Sequence, residues 1–169
     1  MQKEQFVAAA PEPGGASAGV KYLAFTLGRE EYALRIEQVR ELRGFEPVTR
    51  LPSAPAYILG VINLRGIIVP VADLRIKLSL GAARYDSTTV VIIARTNDMT
   101  VGLVVDGVSD VHELTPDQVR PAPDLGASAT AYVVGLGIVG EATLILTDVE
   151  KLISHKHLDC LVAEPALDA

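Results

Sequence analysis

Tyr32-Ala33-Leu34-Arg35-Ile36-Glu37-Gln38-Val39-Arg40-Glu41-Leu42 returns 69 positions later as Val101-Gly102-Leu103-Val104-Val105-Asp106-Gly107-Val108-Ser109-Asp110-Val111. Each copy is an apolar strand that runs into an acidic residue, then a valine, then a second acidic residue. Two further matches share an offset of 75: Tyr57-Ile58-Leu59-Gly60 with Tyr132-Val133-Val134-Gly135, and Val69-Pro70-Val71-Ala72-Asp73-Leu74 with Leu144-Ile145-Leu146-Thr147-Asp148-Val149. No helical-pair or propeller repeat has this form. Two similar small β modules are implied. Neither copy carries a catalytic constellation, so the duplication suits the presentation of surfaces better than chemistry.

Working outward from these stretches, Val20 to Leu27 alternates, meets Gly28 and resumes from Glu31 to Leu34, which predicts a hairpin. Apolar residues at 36, 39 and 42 predict a short helical segment over Ile36 to Leu42, ended by Gly44. After a Pro-punctuated connection from Leu51 to Pro55, Tyr57 to Ile62 and Gly66 to Ala72 read as strands, with Asn63-Leu64-Arg65-Gly66 at the turn between them. The second half repeats the plan: Thr88 to Ala94, a turn at Thr96-Asn97-Asp98, Thr100 to Val105, a Pro-rich connection from Pro116 to Pro123, Tyr132 to Val139, and Ala142 to Leu146. Asp148 is the candidate N-cap of a helix reaching Ser154.

Strands this short and this evenly spaced favour small barrels over an open sheet. The predicted organisation is a flexible tail over residues 1–19, rich in Ala, Gly, Pro and Ser, a first half over 20–84, a second half over 85–155 that includes the C-terminal helix, and a C-terminal tail over 156–169. A half of roughly 65 residues folding alone would bury only about 60% of its unfolded surface, so the halves are expected to share a core face.

At 169 residues, 49% hydrophobic and 21% charged, the composition is that of an ordinary globular protein. A net charge of -6, with 5% aromatics and no Trp, argues against a nucleic-acid groove, because phosphate binding needs clustered Lys and Arg, and base binding needs stacking rings. One cysteine, Cys160, cannot form an internal disulfide and fits a reducing cytoplasm. Met1 to Gln5 is polar and Pro11 and Pro13 follow, so no secretory signal is expected. The longest apolar run, Tyr57 to Leu74, contains Asn63, Arg65, Pro70 and Asp73 and does not suit a membrane span.

Gly135-Leu136-Gly137-Ile138-Val139-Gly140 matches the dinucleotide-binding pattern in letters, but strand-like Glu141 to Leu146 follows where a helix is required. Its glycines read as turn and close-packing residues. His155 and His157 are two apart, on different faces of a helix, with no third metal ligand in reach, and capping of a helix C-terminus suits them better. No serine sits in a nucleophile elbow and no carboxylate pair stands out as an acid/base couple. Arg65 differs. A cation inside an apolar run must sit on an exposed turn or find a partner. It is therefore either a solvated turn residue or a recognition residue held by two strands, and Glu41 is the obvious opposite charge.

The fragments Phe25-Thr26-Leu27-Gly28-Arg29-Glu30-Glu31-Tyr32, Val39 to Gly44, Gly60 to Arg75, Val105 to Val111 and Gln118 to Pro123, in this order, strongly resemble the CheW family of bacterial chemotaxis coupling proteins, from about Tyr22 to Leu152. The resemblance implies a mainly β fold of two five-stranded SH3-like β-barrel lobes with short helices, in which strands can be exchanged between lobes. It implies no enzymatic activity and no cofactor. The implied function is that of a cytoplasmic adaptor, a scaffold peripheral to membrane receptor arrays, whose partners are the cytoplasmic tip of methyl-accepting chemoreceptors, the regulatory domain of the histidine kinase CheA, and other CheW copies in array rings. The alternative from the residues alone is a small β-barrel module for another protein or an oligonucleotide. The family's receptor-binding positions fall on Val39, Glu41, Asn63 and Arg65, with Gly60 and Gly66 shaping the loop and Val108 on the facing lobe.

Overall fold

The structure is a computed structural model that describes residues 19–80, 83–96, 99–123 and 132–153. Its strands are β1 (Val20–Leu27), β2 (Glu30–Arg35), β3 (Val39–Gly44), β4 (Ile58–Leu64), β5 (Ile67–Asp73), β6 (Val90–Arg95), β7 (Thr100–Val105), β8 (Gly107–Leu114), β9 (Val119–Arg120), β10 (Val133–Val139) and β11 (Ala142–Thr147). Two single-turn helices, α1 (Leu74–Lys77) and α2 (Val149–Leu152), follow β5 and β11. They start alike: the Asp73 and Asp148 carboxylates accept from the backbone N–H of Arg75 and Glu150, both at 2.9 Å. The expected N-cap at Asp148 is therefore present.

The strands form two sheets, a five-stranded one in the order β3-β6-β7-β5-β4 and a six-stranded one in the order β9-β10-β11-β2-β1-β8. The five-stranded sheet draws on residues 39–105 and forms a central lobe. The six-stranded sheet joins β1–β2 to the strands after residue 106 and forms a terminal lobe. A division at residue 84/85 is thus not how the sheets divide the chain; the strand exchange implied by the family resemblance is what the topology shows. Its cause is that the chain crosses between lobes twice, once through a 3₁₀ turn at Ile36–Gln38 and once at Asp106. These crossings lie in the two copies of the repeat, Tyr32 to Leu42 and Val101 to Val111.

Pairing registers reproduce the duplication. Val71 pairs with Gly102 in parallel, and their counterparts at the two offsets, Leu146 and Ala33, pair in parallel too. In the central lobe Thr49 bridges Val61 on β4 through two 2.9 Å hydrogen bonds, and in the terminal lobe Arg120 pairs with Leu136 on β10. Each bridge brings the chain leaving one edge strand back to the other edge, rolling the sheet toward a barrel. Gly60 and Gly135 stand beside these closures. A Cβ on Gly60 would lie 2.1 Å from the Thr49 carbonyl oxygen, and one on Gly135 would lie 3.1 Å from that of Arg120. The Tyr-x-x-Gly repeat thus marks where backbone passes close over backbone.

The core has three layers. Tyr22, Ala24, Ala33, Leu114, Leu144 and Leu146 fill the terminal lobe, and Leu64, Val69, Val71, Val91, Ile93 and Val104 fill the central one. Between the lobes lies the largest cluster, 17 buried residues among those described, which include Leu23, Phe25 and Leu34 from β1–β2 and Ile92, Leu103 and Val105 from β6–β7. These two hairpins are buried on both faces, which explains their nearly unbroken apolar composition. At about 1.5–3 kcal/mol for each large side chain buried, this layer holds the halves together, and the shared core face expected from length is present.

One expectation is corrected. Ile36 to Leu42 is not a helical segment: the 3₁₀ turn ends at Gln38 and Val39–Gly44 is strand β3, paired with β6. The three-residue apolar spacing arises because a bulge between Val39 and Glu41 shifts the strand's phase. Glu41 therefore projects from a strand. His155, His157, Cys160, the tails beyond Gly19 and Ile153, and part of the Thr96-Asn97-Asp98 turn lie outside the described residues.

Candidate functional site

Strands β4 and β5 are joined by Arg65 and Gly66, with φ of 52° and 89°. Two successive left-handed residues make the tight turn whose twist matches a right-handed hairpin. Gly66 adopts this conformation freely, whereas an L residue with a side chain does so at a cost of roughly 1–2 kcal/mol. The Asn63 side chain steadies the turn: its Oδ1 accepts from the Gly66 backbone N–H at 2.7 Å.

The Arg65 side chain is 69% exposed and donates from Nη2 to Glu41 Oε1 at 2.6 Å. The other Glu41 oxygen accepts from Arg43 Nη1 at 3.2 Å, and Arg43 Nη2 donates to Glu46 Oε2 at 2.6 Å. The four charges form an alternating ladder from the turn along β3. Hydrogen bonds from Arg65 first, then Arg43, hold the Glu41 carboxyl below the ordinary carboxylate range. By linkage, the ladder is intact above the ordinary carboxylate range and is lost only as pH falls through the lowered value. Beside it lies a groove of about 200 Å³ lined by Arg40, Glu41, Leu64, Arg65, Ile67, Val69, Ile93 and Thr100. Ile67 and Ile68 are 59% and 53% exposed, so the charged turn carries an apolar shoulder.

Of the residues singled out in the sequence, the structure brings Glu41, Asn63, Arg65 and Gly66 into one cluster. The others stand elsewhere. Val39 opens β3 opposite Ala94 and packs against the layer between the lobes. Val108, its counterpart in the repeat, lies on β8 opposite Phe25 and packs against the same layer. Gly60 serves the barrel closure at Thr49 rather than the turn itself.

A second polar cluster escaped the sequence reading. Arg75 on α1 is 4% exposed. Its Nε and Nη2 donate to the two oxygens of fully buried Asp73, each at 3.0 Å, and its Nη1 donates to the Arg84 carbonyl at 2.7 Å and to Asp106 Oδ1 at 2.8 Å. Tyr85 donates its hydroxyl to Asp73 Oδ2 and sets its ring 5.0 Å from the guanidinium. Burial and then this bond to Asp73 push the Tyr85 hydroxyl up to about 12. Because folding favours the protonated phenol, its contribution is complete below about pH 10 and is lost as pH rises toward about 12. Spectrophotometric titration of Tyr85→Phe is expected to lack one late-titrating phenol; an unchanged curve would show that Asp73 does not hold the Tyr85 hydroxyl.

Among the described residues there is no group of three or more His, Cys, Asp or Glu placed to hold a metal ion, and no helix long and apolar enough to cross a membrane.

A family model described as CheW-like domain matches residues 21–157. The chemotaxis protein CheW of Klebsiella aerogenes is 50% identical over 145 residues, covering 85% of this chain and 87% of that protein. The Bacillus subtilis chemotaxis protein CheW is 37% identical over 63% of this chain and 68% of its own length, and the protein FrzA of Myxococcus xanthus is 29% identical over 69% and 72%. The crystal structure of the scaffolding protein TtCheW from Thermoanaerobacter tengcongensis superposes with a TM-score of 0.76 at 30% identity, covering 82% of this chain and 97% of that one. On its sequence, its paired sheets and its exchanged hairpins together, this chain belongs to the CheW-like domain family.

Proposed function

We propose that this chemotaxis scaffold is a non-catalytic adaptor. It couples the cytoplasmic tip of methyl-accepting chemoreceptors to the regulatory domain of the histidine kinase CheA, in the cytoplasm at receptor arrays whose rings include further copies of the chain. The observation that carries the reading is Arg65. It holds a left-handed backbone that Gly or Asn would adopt at less cost, and it spends that strain on projecting a guanidinium into solvent between a carboxylate and an exposed isoleucine pair. Such a site suits a receptor helix that offers a carboxylate to Arg65 and an apolar side chain to the groove. Asn63 and Gly66 set the turn, Gly60 closes the barrel on the strand that leads to it, and Val39 and Val108, which pack against the layer between the lobes, are the remaining receptor positions of this reading. The kinase takes other surfaces of the two lobes. A bridge alters kinase output only if it binds the active and inactive arrangements with different free energies, since equal binding shifts neither.

Titration with a receptor tip fragment tests this. Arg65→Asp is expected to weaken binding by about 1–3 kcal/mol with the fold intact. Arg65→Gly is expected to weaken it too, while stability stays level or rises by up to about 1 kcal/mol through relief of the left-handed strain. Undiminished receptor affinity in both variants would remove Arg65 from the contact, and a loss of stability in Arg65→Gly would make it a structural residue instead. Single-stranded DNA, the ligand of the competing reading, is expected not to bind.

A further inference from the structure

The two crossings between lobes are related by the repeat but are built differently. At the second, Asp106 uses both carboxylate oxygens: Oδ1 accepts from Arg75 Nη1 of the central lobe at 2.8 Å, and Oδ2 accepts from the Gly28 N–H, in the β1–β2 turn of the terminal lobe, at 2.7 Å. Its own N–H donates to the Thr26 carbonyl at 3.1 Å. Arg75 is itself fixed by Asp73. At the first crossing the counterpart of Asp106 is Glu37, which pairs at 3.3 Å with Arg35, and both side chains are more than half exposed. The counterpart of Arg75 is Glu150, a carboxylate in place of a guanidinium.

We propose that Asp106 is a one-sided pin that sets the angle between the lobes. The apolar layer between them supplies cohesion and close packing, and the bonds of Asp106 add a directional tie between the same two lobes. Charge-assisted hydrogen bonds are directional and short. Among the described residues such a set stands at the second crossing and an exposed ion pair at the first, so the second crossing fixes the geometry more tightly than the first. Resting on the adaptor reading, the pin also holds the receptor and kinase surfaces in the relative placement that a bridge needs, which makes Asp106 a positioning residue remote from the Arg65 turn.

The test uses the full chain with Cys160→Ser and spin labels at Arg50→Cys on the central lobe and Glu141→Cys on the terminal lobe, both exposed positions. Pulsed dipolar spectroscopy is expected to give a single narrow distance distribution with Asp106 in place and one at least twice as wide in Asp106→Ala. Asp106→Asn, which keeps an acceptor for the Gly28 N–H but loses the charge, is expected to fall between them. Superimposable distributions would overturn the pin whatever the protein binds. For the functional half, Asp106→Ala is expected to bind an isolated receptor tip within twofold of the parent, yet to lower receptor-dependent kinase stimulation at least tenfold. Widened distances with full stimulation would leave the pin and overturn its role in signalling. A parent protein that binds neither receptor tip nor kinase would overturn the adaptor reading while the distances still judge the pin.

Discussion

Asp73→Ala is expected to lower the unfolding free energy by about 3–5 kcal/mol, the range for removing one partner of a buried ion pair. Asp73 has no exposed surface and accepts from the Arg75 backbone N–H, from Arg75 Nε and Nη2, and from Tyr85. Truncation removes a helix cap and leaves a guanidinium, 4% exposed, with only Asp106 and the Arg84 carbonyl as acceptors. The uncompensated charge dominates, not the lost contact. Asp73→Ala combined with Arg75→Met should therefore recover much of the loss, since an apolar pair of similar volume often replaces a buried ion pair without penalty. Urea titrations with equal m-values would measure both. A single-variant loss under about 1 kcal/mol would show that the pair is solvated rather than buried.

Gly60→Ala carries the second large effect. Gly60 has φ of 151°, and its added Cβ would meet the Thr49 oxygen at 2.1 Å, its carbon at 2.7 Å and the Arg50 Cα at 3.0 Å. All three are backbone atoms, so no side chain can swing aside. Backbone strain and overpacking together are expected to remove roughly 3 kcal/mol or more. The matching change in the other lobe, Gly135→Ala, has an ordinary φ and a nearest approach of 3.1 Å, and should cost about 1 kcal/mol. Thermal unfolding of the two variants side by side decides it: equal shifts would mean that the central lobe's closure yields as easily as its counterpart. Because Gly60 lies on the strand that leads into the Arg65 turn, the variant should also blunt receptor binding.

The duplication was legible because it is written in apolar pattern and in turn residues, and both are local. Gly66 and Asn63 announced the turn, Asp148 announced its helix, and the run from Tyr57 to Leu74 announced two buried strands around a cation. The pairing of Arg65 with Glu41 was also within reach, since few opposite charges interrupt the apolar stretches nearby. Strand β3 was misread because a bulge mimics helical spacing, which no count of apolar intervals can separate from a real turn of helix. The division between halves failed for a different reason: a hairpin of like pattern pairs equally well with either set of strands, and only the crossings at Ile36–Gln38 and Asp106 determine which it joins. The Arg75 cluster was hidden because its partners come from Gly28, Asp73, Arg84, Tyr85 and Asp106, positions that nothing in the sequence brings together.

The double crossing bears on how the chain is made. Of the described strands β1–β2 leave the ribosome first, but Ala33 acquires its parallel neighbour Leu146 only after almost all of the others have been synthesised. Until then the hairpin exposes an unpaired edge and an apolar face, the form in which nascent β chains pair wrongly with one another. The central sheet, contiguous in the chain, can close first and offer its outer face as a template on which the waiting hairpin docks. Pairings so distant in sequence make folding slow, and a chain cut between β7 and β8 would leave a complete central sheet carrying an unpaired β1–β2 hairpin in one fragment and a terminal sheet without that hairpin in the other.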